Sequence, residues 1–281
     1  MKSPIAACGL DCSSCKARLA TLNNDDALKE EVAREWSELN QVLITPEMIN
    51  CVGCLEEGPK TIYCEKLCPI RKCCLNKKLD SCANCGDFAN CQKLKAITSN
   101  NEEALLRLIK TKVEKNGEIV FESSRLYFRK HDDNDLIPLT HILPSDDRAY
   151  AKRWITWCED SYVKNGFGLY AVILKNSGEL IGTAGISMQY IDEDWRPEVG
   201  YHLRKDYHRQ GLGKEMAIAS RDYFFTHFDF GEVYSYMKKD NVASYKTAEA
   251  NGMTYLHLSK DKNGEVCRIY KITRKEWETI K

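Results

Sequence analysis

The chain has 281 residues, of which 43% are hydrophobic and 29% charged, and its 41 basic and 41 acidic residues cancel at pH 7. This balance excludes an overall electrostatic attraction to nucleic acid or to a membrane surface, although a local charged patch is compatible with it. No apolar run approaches the roughly 20 residues of a membrane helix, and residues 1–10 lack a signal-peptide core. We therefore expect a cytoplasmic protein of one or two domains without a membrane or nucleic-acid partner.

Cysteines and aromatic residues divide the chain into two parts. Twelve of the 14 cysteines lie at or before Cys91, whereas only three aromatic residues precede residue 120. Few large side chains and many sulfur ligands are typical of a small domain held by cross-links. We predict a cysteine-rich zinc domain over residues 1–97, a helical connector over 98–120 and a second domain over 121–281.

The second domain mixes strand and helix patterns. The strand-like runs are 126–129, 169–174, 180–187, 198–203, 233–236 and 267–273. The helix-like runs are 147–164, 213–227 and 241–251, and a further run in the connector ends at Asn116-Gly117. The expected fold class is α+β.

The cysteine spacing of the first domain predicts metal sites. The twelve residues are Cys8, Cys12, Cys15, Cys51, Cys54, Cys64, Cys68, Cys73, Cys74, Cys82, Cys85 and Cys91. Three pairs among them have the spacing CxxC, which lets two thiolates reach one tetrahedral ion at about 2.3 Å from each sulfur. We therefore predict about two structural zinc ions, with three as the upper limit.

Other cysteine chemistries are compatible with the same spacing. A disulfide framework is disfavoured because nothing in the sequence indicates secretion. Cys8-x3-Cys12-x2-Cys15 imitates the iron–sulfur motif of radical enzymes that use S-adenosylmethionine. Those enzymes normally need a large barrel, which a segment of roughly 95 residues crowded with other cysteines cannot supply. Redox-active dithiols also stay open.

The most specific motif of the chain is a strand followed by a glycine turn and a helix. The strand 198–203 leads to Gly211 and Gly213, and helix-forming residues follow from Lys214. Successive N–H groups at such a turn, at the positive end of a new helix, form an anion-binding cradle that suits a pyrophosphate.

Four separated blocks of sequence carry a family resemblance, two of which are the opening Ser124-Arg-Leu-Tyr-Phe-Arg-Lys and the ending Tyr270-Lys-Ile-Thr-Arg-Lys-Glu-Trp277. His208-Arg-Gln-Gly211-Leu-Gly213 resembles the Gln/Arg-x-x-Gly-x-Gly/Ala signature of GNAT N-acetyltransferases, with His208 at the first position. The run from Asn241 to Met253 is similar to the corresponding block of the ribosomal-protein N-acetyltransferase branch. The resemblance covers roughly residues 121–281 and implies a twisted mixed sheet that splays near its centre.

The resemblance also implies an acetyl-CoA site. Its pyrophosphate contacts would be the amides of Arg209, Gln210, Gly211, Leu212, Gly213 and Lys214. Its pantetheine arm would pair with the backbone of His202, Leu203 and Arg204 like an added strand, and Asn241 and Ser244 would contact it from the other side. A plain helix N-cap is a second role for Asn241.

The resemblance implies a base at Glu198, where several family members carry a catalytic glutamate. A structural carboxylate paired with Arg196 or Lys205 is the other interpretation. The family's acid, a tyrosine seven residues after the asparagine, is replaced here by Ala248. Tyr245, one helical turn earlier, is a weak substitute, and a water or no acid at all is equally compatible.

The acceptor amine is the open question. Trp154, Trp157, Tyr162 and Trp195 could line its site, but their spacing favours ordinary core positions. The family favours a protein N-terminal amine, while polyamines, drugs and lysine side chains stay open. The rival function is a non-catalytic acyl-CoA sensor.

The first domain has a resemblance of its own. Ala7-Cys-Gly-Leu-Asp-Cys12, Asn50-Cys-Val-Gly-Cys54 and Ile70-Arg-Lys-Cys73 resemble a prokaryotic cysteine-rich domain family without an established function. We expect a stability module or a docking module for a protein partner.

Overall fold

A computed structural model describes residues 4–261 and 263–281. The described chain forms two compact units that divide between Lys112 and Val113. Within these residues, no helix has the length and apolarity that crossing a membrane requires.

The N-terminal unit is built from short helices and irregular cysteine-bearing segments. Its helices are α1 (Lys16–Leu22), α2 (Asp26–Asn40), α3 (Pro69–Asn76), α4 (Gln92–Thr98) and α5 (Glu102–Lys115), the last of which runs into the next unit. The buried side chains of one core cluster are aliphatic: Ala17, Val32, Ala33 and Ile49. Such a core buries little apolar area, which agrees with the scarcity of aromatic residues in this part of the sequence.

One close backbone contact ties the first cysteine segment to α5. Gly9 has a φ of 87°, and a Cβ added there would lie 2.2 Å from the carbonyl oxygen of Ala104. Only glycine satisfies both the left-handed conformation and the lack of space.

The C-terminal unit contains a mixed sheet of eight strands in the described residues. The strands are β1 (Ile119–Glu122), β2 (Leu126–Arg129), β3 (Leu169–Leu174), β4 (Leu180–Ile191), β5 (Asp194–Leu203), β6 (Glu232–Lys238), β7 (Thr254–Lys260) and β8 (Val266–Thr273). Their order is β1-β2-β3-β4-β5-β6-β8-β7. The neighbours β5 and β6 are parallel, and the other described pairs are antiparallel.

Helices flank this sheet, which confirms the predicted α+β class. They are α6 (Leu136–Thr140), α7 (Arg148–Asn165), α8 (Leu212–His227), α9 (Val242–Ala250) and α10 (Arg274–Ile280). Leu212 and Met216 at the start of α8 are buried against Phe128 and Ile181 of the sheet. Phe224 near its other end packs with side chains of β6 and β8 in a second cluster. Burial at both ends therefore holds α8 against the sheet.

The sheet opens between β5 and β6. Their register contains the single pair Glu198↔Tyr234 in the described residues, whereas β5 stays paired with β4 along its whole length. Just beyond that pair, the Ser235 hydroxyl donates to the Val199 carbonyl at 3.2 Å. The edge of β5 that follows Val199 is therefore free to pair with another extended group.

Candidate active site

The glycine turn after β5 has the geometry of an anion cradle. Gly211 is the N-cap of α8 with a φ of 74°, and Arg209 also has a left-handed φ of 61°. The first N–H groups of any α-helix lack intrahelical acceptors, and the helix dipole makes this end positive. The turn therefore presents several backbone donors in one direction.

The space in front of the cradle is open. A Cβ added at Gly213 would meet no atom within 4 Å, and one at Gly211 would meet only Arg125 Nη2, at 3.6 Å. An open volume at a helix N-terminus fits a phosphate group. The residues present thus fit the pyrophosphate of acetyl-CoA.

Two residues that the sequence analysis did not select hold the cradle in place. The Glu215 carboxylate accepts hydrogen bonds from Arg125 Nε at 2.6 Å, from the Arg125 backbone N–H at 2.7 Å and from the Ser123 hydroxyl at 2.7 Å. Arg125 Nη1 also donates to the Gln210 carbonyl at 3.0 Å. Arg125 and Glu215 are 90 residues apart in sequence, so no local pattern could have joined them.

A cleft of about 610 Å³ lies where β5 and β6 separate. It is lined by residues of β4, β5, β6, α7 and the start of α9, among them Trp154, Trp157, Ser187, Glu198, Gly200, Tyr201, His202, Tyr236, Asn241 and Ser244. The cleft thus brings together Glu198, His202, Asn241 and Ser244 from the predicted site residues.

Glu198 is a buried carboxyl with few hydrogen-bond donors. The residue is 9% exposed, and the Ser187 hydroxyl donates to its Oε2 at 3.3 Å. Gln189 Nε2 donates in turn to the Ser187 oxygen at 3.1 Å, which orients that hydroxyl. Burial raises the pKa of Glu198 to about 8, and the Ser187 hydrogen bond offsets only part of this effect.

His202 is the second titratable side chain on this part of β5. Its ring stands edge-on to Trp154, with the ring centroids 5.3 Å apart. Burial lowers the pKa of this imidazole, because the charged form loses hydration. The sequence analysis considered only the backbone of His202.

The backbone of β5 presents alternate residues to the open edge. The Arg204 N–H donates to the Ile181 carbonyl at 2.8 Å, so this group faces β4 and is occupied. Because strand backbone groups alternate, those of His202 face β4 as well, and those of Tyr201 and Leu203 face the opening. Of the three predicted backbone contacts for pantetheine, Leu203 has the required direction.

The start of α9 closes the cleft. Asn241 is the N-cap of this helix, and its side chain accepts from the Ser244 N–H at 3.2 Å. Tyr245 lies outside the described lining of the cleft, and its ring packs under the Arg268 guanidinium at 4.8 Å. Ala248, at the family's tyrosine position, is buried in the core.

A tyrosine that the sequence analysis missed does reach the cleft. Tyr201 lines it from β5. Burial raises the pKa of Tyr201, and hydrogen bonds with Thr247 and Ser244 partly offset this. Its side chain therefore lies beside α9, where the family's acid would be placed.

The four candidate aromatic residues separate into two groups. Trp154 and Trp157 line the cleft, and Trp157 is 39% exposed. Tyr162 instead stacks on Tyr170 and donates to the Leu169 carbonyl at 2.5 Å, which is a core arrangement. Trp195 is 63% exposed and packs against Tyr190.

The cysteines of the N-terminal unit do not form a preassembled metal site. Throughout residues 4–261 and 263–281, no group of three or more His, Cys, Asp or Glu side chains is placed to hold an ion. All 14 cysteines, each within these residues, are free thiols. The predicted zinc stabilisation is therefore not confirmed by the structure.

Some of these thiols do lie close together. The sulfurs of Cys74 and Cys82 are 3.8 Å apart. They border a cavity of about 330 Å³ that is also lined by Cys73, Cys85 and Cys91. The cavity brings five of the twelve cysteines into one region of the unit.

Comparisons with known proteins match the two parts of the chain to different families. Residues 4–96 match the family DUF3795, described as a protein of unknown function. The uncharacterized protein YkkB of Bacillus subtilis is 30% identical over 122 residues, which are 43% of this chain and 71% of YkkB. The uncharacterized N-acetyltransferase p20 of Bacillus licheniformis is 28% identical over 115 residues, or 41% of this chain and 64% of p20.

The solved structures that align with this chain include the ribosomal-protein-S5-alanine acetyltransferase of Vibrio fischeri. Its TM-score is 0.46 at 19% identity, and the match covers 57% of this chain and 99% of that one. Residues 125–254 match the model of the acetyltransferase (GNAT) domain. This chain therefore belongs to the GNAT acetyltransferases and carries an additional DUF3795 domain at its N-terminal side.

Proposed function

We propose that the protein transfers an acetyl group from acetyl-CoA to a primary amine, forming an amide and releasing the CoA thiol. The observation that carries this proposal is the open cradle at the start of α8, placed at the end of the strand whose free edge borders the cleft. A pyrophosphate on the cradle would let the pantetheine arm follow the edge of β5 toward Glu198.

The residues of the cleft supply the parts that acetyl transfer needs. The N–H groups of Tyr201 and Leu203 face the free edge, where one could donate to the carbonyl oxygen as negative charge develops on it. Glu198 in its ionised form would take the proton of the attacking amine. Tyr245 lies outside the described lining of the cleft, whereas Tyr201 lines it and would be the better candidate to protonate the thiolate.

Trp154 and Trp157 support an acceptor that brings apolar surface beside its amine. The likeness to an enzyme named N-acetyltransferase supports nitrogen as the acceptor atom. A protein N-terminus and a small-molecule amine both satisfy these conditions. If the acceptor is a protein, the N-terminal unit would dock it. The cytoplasmic location stays a prediction.

The direct test is acetyl transfer to a panel of peptide N-termini, polyamines and other small amines. Acetylated products should be detected by mass spectrometry, because the 14 thiols of the chain would themselves react with a thiol reagent. Turnover with any acceptor supports the enzyme. Tight acetyl-CoA binding without turnover across the panel would support the sensor instead.

We also propose that thiols of the N-terminal unit bind zinc. The support is the CxxC spacing together with the 3.8 Å between the Cys74 and Cys82 sulfurs, since two ligands at about 2.3 Å from a tetrahedral ion are about 3.8 Å apart. Further thiols would have to move toward the ion as it binds. Cys73, Cys85 and Cys91 lie on the same cavity and are candidates for that movement.

A further inference from the structure

Glu198 and His202 lie on the same face of β5 with a glycine between them. Side chains alternate along a strand, so residues 198, 200 and 202 point the same way. Gly200 leaves this face uncovered, and a Cβ added there would lie 3.0 Å from Glu198 Oε2. The carboxyl therefore leans over Gly200 toward His202, and all three residues line the cleft.

The His202 imidazole is available for proton transfer. In the described part of the chain it makes no hydrogen bond, and its recorded ring contact is the edge-on packing against Trp154. Trp154 packs against the ring, and both side chains line the cleft. A histidine that served only to pack against Trp154 would not need to line the cleft that Glu198 also lines.

The other charged side chains that line the cleft have ion-pair or hydrogen-bond partners of their own. Lys238 forms an ion pair with Glu265 at 2.8 Å. The Asp261 carboxylate accepts the backbone N–H groups of Asn263 and Glu265. The remaining titratable groups are Tyr201, Tyr236 and Cys267. The Asp261 charge is thus stabilised by backbone N–H groups and the Lys238 charge by Glu265.

The two groups have opposite protonation at neutral pH. Burial raises the pKa of Glu198 to about 8, so most of its carboxyl is protonated near pH 7. Burial lowers the pKa of His202, so its imidazole is neutral there. A general base must carry a free electron pair, and at neutral pH His202 meets this condition better.

We infer that His202 is the proton acceptor for the amine at neutral pH and that the Glu198 carboxylate takes over in alkaline solution. As the new N–C bond forms, the amine proton passes to the imidazole. The C–S bond then breaks with its electron pair on sulfur, and the thiolate takes a proton from solvent. The imidazolium returns its proton to solvent through the open cleft. This inference rests on the proposed acetyl transfer.

The test compares His202→Gln and Glu198→Gln with the intact protein between about pH 6.5 and 9.5, using an acceptor found in the amine panel. Dividing the kcat of each variant by the wild-type kcat at the same pH removes the effect of ionisation of the amine itself. His202→Gln should lower kcat several-fold near pH 7, and its deficit should shrink above pH 8. Glu198→Gln should show the reverse trend. His257→Gln, an exposed histidine on β7, is the matched control and should follow the wild type.

The outcomes separate the inference from the proposed function. A wild-type rate of His202→Gln near pH 7, or an equal deficit at every pH, would overturn the role of His202 while leaving acetyl transfer intact. Absence of wild-type turnover at any pH would instead remove the proposed function. A calorimetric acetyl-CoA affinity equal to that of the wild type would show that the variant is folded. His202→Ala, with space over Gly200, should regain activity when imidazole is added, and failure of this rescue would count against a proton-transfer role.

Discussion

Glu198 and Asp135 are both buried carboxyls, yet their pKa values move in opposite directions. Burial opposes the charge of each, but Asp135 receives hydrogen bonds from Arg129 and His131, which bring its pKa below the ordinary value. Glu198 receives one hydroxyl, so burial dominates and its pKa rises. These different partners make Asp135 a structural carboxyl and Glu198 a candidate for proton transfer.

The first prediction concerns the rate in alkaline solution. Because the pKa of Glu198 is about 8, the ionised base increases as the pH rises through that value, and kcat should rise with it. Glu198→Gln should remove this rise and lower kcat several-fold near pH 9, with little change in acetyl-CoA affinity. An unchanged profile in the variant would leave Glu198 as a structural carboxylate.

The second prediction concerns stability at the same residue. A folded pKa above the ordinary value means that the folded state binds the extra proton, so Glu198 destabilises the fold progressively between about pH 4.5 and pH 8. Glu198→Gln should therefore raise the unfolding temperature near pH 9 by more than near pH 5. Tryptophan fluorescence is a suitable probe, because four of the five tryptophans lie in the second unit.

The third prediction concerns the buried pair. Asp135→Asn would leave the Arg129 charge without its partner, which costs about 3–5 kcal/mol. The lowered pKa of Asp135 means that its contribution is present above about pH 4 and is lost as the pH falls through the folded value. Asp133→Asn is the control, because its ion pair with Lys152 is exposed and exposed pairs contribute little to stability. Equal unfolding temperatures for the two variants would contradict the assignment.

Among the elements, the strands and helices with a buried face were predictable from the sequence. Alternation or helical spacing indicated β2, β3, α7 and α8 to within a residue or two. β1 is only partly buried and β7 is exposed along nearly its whole length, so neither has a fully buried face. Their places in the sheet come from pairing with a neighbour, which a single sequence does not display.

The fourth prediction concerns the turn before α8. Gly213→Val should place a side chain in the open space of the cradle without backbone strain, since Gly213 lacks the left-handed φ of Gly211. Acetyl-CoA affinity should fall at least about tenfold, or roughly 1.4 kcal/mol. Gly231→Val is a matched control, because the space around that glycine is equally open but lies outside the described cleft and cradle. Unchanged calorimetric affinity in Gly213→Val would remove the cofactor assignment.

At the scale of the whole molecule, the cradle was predictable because its residues are contiguous in sequence. The cleft was only partly predictable, because its residues come from separate elements. Arg125 and Glu215 meet across 90 residues, and the direction of Tyr201 depends on which edge of β5 is open. The arrangement of the twelve N-terminal cysteines was not predictable either. CxxC spacing gives thiols that can share an ion, but their grouping depends on how irregular segments pack around a small core.

The fifth prediction concerns metal and the independence of the two units. Elemental analysis of protein purified without oxygen should give two or three zinc ions per chain and little iron. Because a structural site contributes on the order of 10 kcal/mol, removing zinc should unfold residues up to about 95, whose core is small. The second unit has its own aromatic core and should keep its acetyl-CoA affinity. Cys82→Ser should lose about one ion, whereas Cys158→Ala in the second unit should lose none. Less than one ion per chain would refute the zinc proposal, and loss of acetyl-CoA binding on chelation would show that the second unit depends on the first.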